Sequence, residues 1–213
     1  MSRRRSSGDR EQRADKRTAA AMRARRTKLV RRGALALVAF VAALLALGFL
    51  GVFEPAGAAI DLNAPQYRAD RGDEVGTRRP SEGGGHTDAR VSYGTTPPTS
   101  GRHSPSRADW GIRDDQAPSE RTTHNLEHGG IVIAHKGLAA AELDQLKALI
   151  RTLRRSGYGK IVLEPFAQLS GDTRIALTSW QWLLELPAFD DAQIVRFVKA
   201  RYQGVEAPEP TAP

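Results

Sequence analysis

From Gly33 to Phe53 the chain reads GALALVAFVAALLALGFLGVF, without one charged residue. No other stretch constrains it as strongly. A helix of about 20 apolar residues is what crosses the hydrocarbon core of a bilayer. Arg31 and Arg32 stand at the start of the run and Glu54-Pro55 at its end. Basic flanks favour the cytoplasmic side, so the N-terminus is expected inside and everything from Glu54 onward outside. Ala56-Gly57-Ala58 resembles a small-residue cleavage site. The basic region before the run is longer than that of a signal peptide, and the run exceeds the roughly 7–15 residues of a signal core. An uncleaved single-pass anchor is therefore the expectation, with the bilayer as its partner.

The charge supports that division. The formal net charge is +8, but Met1 to Arg32 holds thirteen Lys or Arg against Asp9, Glu11 and Asp15. The tail thus carries +10, and the rest, with nineteen basic and twenty-one acidic residues, carries −2. A nucleic-acid protein is expected to present its basic patch on the folded domain, so that class is set aside. There is no cysteine, which excludes a disulfide framework and a lipid-modified thiol.

The chain is expected to divide into a basic cytoplasmic tail (1–32), a transmembrane helix (33–53), a flexible linker (54–90), an extracytoplasmic globular domain (91–206) and a disordered tail (207–213). The linker assignment follows from composition. RADRGDEVGTRRPSEGGGHTD is rich in Gly and charge, and such segments bury too little apolar surface to offset their ordering entropy. His86 within it is expected to be solvated.

Within the domain, IVIAH (131–135) reads as a strand after Gly129-Gly130. Leu138, Leu143, Leu146, Leu149, Ile150 and Leu153 recur at helical spacing until Ser156-Gly157. KIVLEPF is a second strand. RIALTSWQWLLEL is a third extended segment, with a bend allowed, closed by Pro187. FDDAQIVRFVKARYQ is a closing helix with Asp190 as N-cap. The fold class is α/β (α+β), a small mixed sheet in strand–helix–strand–strand–helix order. The helical crossover makes the first two strands parallel, and the short turn after them suggests an antiparallel hairpin. Thioredoxin-like cores share this order, but without a redox cysteine pair the analogy carries no function. Trp180, Trp182 and Phe197 are expected in the core.

The chemistry concentrates in PSERTTHNLEHGG. As a short helix, capped by Ser119 and ended by a left-handed Gly129, it places Glu120, His124 and His128 on one stripe, with Glu127 beside them. Two imidazoles on adjacent turns can reach one ion, and zinc and copper both accept neutral imidazole with a carboxylate. The proline-led stretch YGTTPPTSGRH is extended or turned, not helical. It can deliver His103 as a third nitrogen. The same residues also fit a solvated polar face or a metal-free structural cluster. HNLEH matches the H-x-x-E-H zinc-peptidase pattern, with Glu127 as general base. That pattern needs a longer helix and a distal carboxylate, for which Glu164 or Glu185 can be nominated though no pattern points to either. Ser100 is not set in a nucleophile elbow.

PPTSG-x-H, a Trp-Gly pair and then E-x-x-x-H-N-L-E-H-G-G before an apolar strand resemble a bacterial family of membrane-anchored proteins, domain of unknown function DUF3105. The resemblance spans about residues 92–209. It implies a single-pass protein with an extracytoplasmic domain and supplies no activity. Its motif positions fall on His103, Trp110, Gly111, Glu120, His124, Glu127, His128 and Gly129. Arg102 stands where proline is expected, and Arg113 where an aromatic ring is. The functional expectation is a membrane-tethered extracytoplasmic domain binding zinc or copper through His103, His124 and His128, with Glu120 or Glu127 completing the set, and no catalytic role assigned. The alternatives are a metal-free module holding an unidentified protein partner at the outer membrane face, and a zinc hydrolase.

Overall fold

A computed structural model of the chain describes residues 60–213. The basic tail, the apolar run and the first part of the linker lie outside the described residues. Among the described residues, no helix is long and apolar enough to cross a membrane.

The described unit is a mixed α+β fold with a six-stranded mixed sheet and three helices. The strands are β1 (Thr77–Arg78), β2 (Gly111–Ile112), β3 (Ile131–His135), β4 (Ile161–Pro165), β5 (Ile175–Ser179) and β6 (Trp182–Leu186). The helices are α1 (Ser119–Glu127), α2 (Ala140–Arg155) and α3 (Asp191–Arg201). Across the sheet the order is β1-β6-β5-β3-β4-β2.

β3 sits in the middle, parallel to β4 and antiparallel to β5. The helical crossover through α2 accounts for the parallel pair. The expected hairpin between β4 and the next strand does not form, because β5 pairs with the free edge of β3 instead. The segment read as one bent strand is itself the hairpin. It reverses at Trp180-Gln181, pairing Ser179 with Trp182. Gln181 takes a left-handed φ of 63° there, a geometry that alternating hydrophobicity does not reveal.

Both faces of the sheet are covered, which is why its central strands read as unbroken apolar runs. On one face Ile131, Ile133, Ile161, Leu163, Ile175 and Leu177 pack with Leu146, Leu149, Ile150 and Leu153 of α2 and with Ile194, Phe197 and Val198 of α3. On the other, Val132 and Val162 meet Leu126 of α1 and Trp180. Trp180, Trp182 and Phe197 are buried as expected. Asp190 caps α3, accepting from the Gln193 amide at 2.9 Å. Ser119 does not cap α1. The helix begins at Ser119, and Pro118 occupies the cap without a side-chain bond.

The largest departure from expectation is the supposed linker. From Ile60 onward it is folded onto the domain. Leu62 and Tyr67 enter the main core, and β1 extends the sheet against β6. Arg201, 2% exposed, lies over the Trp182 ring and donates to the carbonyls of Asp73 and Val75. A few anchors suffice where the rest of the sheet already exists, and average composition hides them. The tail is ordered as well. Ala207 is buried, and the Glu209 amide donates to the Glu127 carbonyl at 3.0 Å.

Candidate metal centre

α1 and its C-cap residue His128 carry two imidazoles and one carboxylate, and the helix's orientation is set by the loop before it. Asn125, fully buried, accepts from the Ala108 amide through Oδ1 and donates to the Ala108 carbonyl through Nδ2, both at 2.9 Å. This two-bond clamp fixes the helix against the 103–111 loop. Replacing Asn125 with Ala leaves a buried donor and acceptor unpaired, and about 2 kcal/mol of stability should be lost. Urea unfolding of the variant measures that loss directly.

Gly129 ends the helix with φ 73°, the left-handed conformation expected of a glycine after the C-cap. Gly130 serves a different need. A Cβ there would lie 2.5 Å from the Trp110 ring and 2.8 Å from the Asn125 carbonyl. Gly130→Ala is expected to displace Trp110 and cost about 2 kcal/mol, read as a fall in melting temperature and a change in tryptophan fluorescence.

The proline-led stretch is a fixed loop. Thr96-Pro97 is cis. The Thr99 carbonyl accepts from the Gln181 amide at 2.8 Å, and Ser100 Oγ accepts from the Glu82 amide at 2.9 Å. Thr99, Ser100 and His103 are all buried. Ser100 is thus a loop-holding residue. A parallel β-bridge joins His86 to His103, through the Thr87 amide to the His103 carbonyl and the His103 amide to the Gly85 carbonyl. The bridge places the His86 ring in the site. Its centroid is 5.2 Å from that of His103 and 5.1 Å from that of His124, which is itself 5.1 Å from His103.

One donor atom each from His86, His103, His124 and Glu127 lie within 4.8 Å of one another. Glu127, His128 and Glu209 form a second group by the same measure. Four of the five histidines therefore converge. Of the residues expected to ligate, His103, His124, His128 and Glu127 come together. Glu120 stands apart, because its Oε1 accepts from the Val91 amide and its carbonyl from the Ser104 amide. It ties the loop to α1. His86 and Glu209 are the additions. His86 was masked by a glycine-rich, polar surrounding and Glu209 by a proline-rich end, and no local pattern marks either.

The second ring nitrogens matter most. Nδ1 of His103 lies 2.8 Å from the Gly101 carbonyl, Nδ1 of His124 lies 2.7 Å from that of Ser104, and Nδ1 of His128 lies 2.9 Å from that of Pro213. A carbonyl only accepts, so each ring donates through Nδ1, which leaves Nε2 as the nitrogen that a metal ion can take. Those Nε2 atoms then face acceptors. His103 Nε2 is 2.9 Å from Glu127 Oε2, and the Nε2 atoms of His124 and His128 are 3.0 Å apart. Nitrogen and oxygen atoms so placed are bridged by a proton or by a metal ion. Burial, reinforced by neighbouring His128 and His103, lowers the His124 pKa and outweighs the opposing Ser104 hydrogen bond. The neutral, ligating form of His124 is favoured accordingly. Trp180 stands edge-on to His103, with centroids 6.1 Å apart, and closes the inner wall.

The carboxylates nominated for a peptidase-like site lie elsewhere. Glu164 accepts from the Ala117 amide, and Glu185 pairs with Arg79. No curated protein and no solved structure matches the chain. The family described as protein of unknown function, DUF3105, matches residues 86–213, a span that begins at the first of the four clustered histidines and takes in the whole site. With more than half of its length inside that match, the chain belongs to the DUF3105 family.

Proposed function

We propose that this protein is a membrane-tethered, extracytoplasmic domain that holds a transition metal ion, zinc or copper, on His86, His103, His124 and Glu127. The observation that carries the reading is the commitment of Nδ1 to backbone carbonyls at His103 and His124. Metal-bound histidines donate their other ring nitrogen in this way, which fixes ring orientation and raises ligand basicity. Imidazole with carboxylate and no thiolate suits zinc or copper(II). Tethering rests on the uncharged run from Gly33 to Phe53 and the arginines before it, which favour an inside N-terminus.

A metal-free interaction module remains the second reading, favoured by one observation. The contacts of His103 with Glu127 and of His124 with His128 can be satisfied by added protons alone. The cluster would then pin the loop to α1.

Elemental analysis of the purified full chain, before and after exposure to zinc and to copper(II), decides between them. At least one tightly retained ion and a raised melting temperature are expected. A protein that emerges metal-free from both exposures, with its melting temperature unmoved, overturns the metal reading in favour of the second.

A further inference from the structure

His128 and Glu209 are not needed for the four-residue site, yet they are held against it. The segment 207–213 runs over the end of α1. The Glu209 amide donates to the Glu127 carbonyl at 3.0 Å. Lys160 Nζ donates to the carbonyls of His128, Pro210 and Ala212. Gly129 permits this approach, since a Cβ there would meet the Pro210 carbonyl at 2.9 Å. The result sets Glu209 Oε2 3.6 Å from His128 Nε2, with Glu127 within reach of both.

Six potential ligand side chains, four imidazoles and two carboxylates, then fall into two groups that share Glu127. A four-coordinate zinc ion takes only four. The paired Nε2 atoms of His124 and His128 sharpen the point. Both have Nδ1 on a carbonyl, so the two nitrogens left to bind a metal ion stand 3.0 Å apart. Two ions about 3.5–4 Å apart, the usual spacing of two-metal sites, would give each nitrogen its own cation. Glu127 belongs to both groups and has two oxygens to divide between them. Together Glu127 and Glu209 supply the negative charge that lowers the mutual repulsion of two cations.

We infer that a second transition metal ion binds beside the first, on His128 and Glu209, with the Glu127 carboxylate bridging the pair. The inference rests on the reading of His86, His103, His124 and Glu127 as a metal site.

The test is the zinc stoichiometry of the full-length chain in detergent, with copper(II) electron paramagnetic resonance as a second readout. Two zinc equivalents are expected in the native chain and one in Glu209→Gln. Glu209 has a side chain 60% exposed, so this substitution spares the core. With copper(II), the native chain should show a spin-coupled signal integrating to less than two spins, and Glu209→Gln the signal of an isolated ion. One equivalent in both proteins would overturn the second site and leave the first intact. Two equivalents retained by Glu209→Gln, or two uncoupled copper signals in the native chain, would overturn it as well. No bound zinc at all would overturn both readings.

Discussion

Zinc held at a thousand times its dissociation constant should raise the unfolding free energy of the native chain by about 4 kcal/mol, and His103→Ala should abolish most of that gain. Ion binding and folding are linked. An ion that binds only where residues distant in the chain converge does not bind the unfolded state, so its binding energy adds to stability. For a folded unit of this size, about 4 kcal/mol corresponds to roughly 8–16 °C in melting temperature. His103 is wholly buried and bonded at both ring nitrogens, so its removal also weakens the apo fold. His86 separates the two effects. Its side chain is 54% exposed, and His86→Ala should leave the metal-free melting temperature within a degree or two of native while greatly reducing the zinc-induced rise. Scanning calorimetry with and without zinc reads both quantities. An undiminished rise in both variants would remove these histidines from the site.

The second large effect concerns a residue far from the histidines in role. Glu164 lies on β4, 1% exposed, with Oε2 accepting from the Ala117 amide and Oε1 without a hydrogen-bond partner among the described residues. Burial pushes its pKa up to about 7, against the Ala117 hydrogen bond and the Arg113 charge, which act to lower it. The sign follows from proton counting. Between the unfolded value of 4.5 and about 7, the folded state holds a proton that the unfolded state has released. Stability is therefore fully present below pH 4.5, declines as pH rises through this window, and levels off above it. The total change is about 3 kcal/mol. Glu164→Gln, which cannot ionise, should match the native chain near pH 4 and exceed it by up to about 3 kcal/mol near pH 8.5. Denaturant unfolding at the two pH values measures this, and parallel pH profiles for the two proteins would refute it.

Both predictions depend on burial, a property that the sequence conveys unevenly. Ile131–His135, Ala140–Arg155 and Asp191–Arg201 were legible because hydrophobic period and end signals are local. The left-handed Gly129 and the Asp190 cap were legible for the same reason. The hairpin at Trp180-Gln181 was not, since Trp180, Gln181 and Trp182 continue an extended-looking pattern and the reversal lies in one backbone angle. Glu164 read as one polar residue closing an apolar run. Only the layer over β4 makes it buried.

Local order along the chain was written in residue type and spacing. It covered which segments are strand or helix, and that His124 and His128 lie one turn apart at the end of α1. Tertiary structure alone decided which strand lies in the middle, that Ile60 onward belongs to the domain, and which side chains meet. His86 reaches His103 through a backbone bridge, Glu209 reaches His128 across 81 positions of chain, and Glu120, though on the expected stripe, is turned to a backbone amide instead. Periodicity records what each residue does within its own element. Convergence of distant side chains depends on a few long-range contacts, each closing a loop whose ends carry no mark of one another.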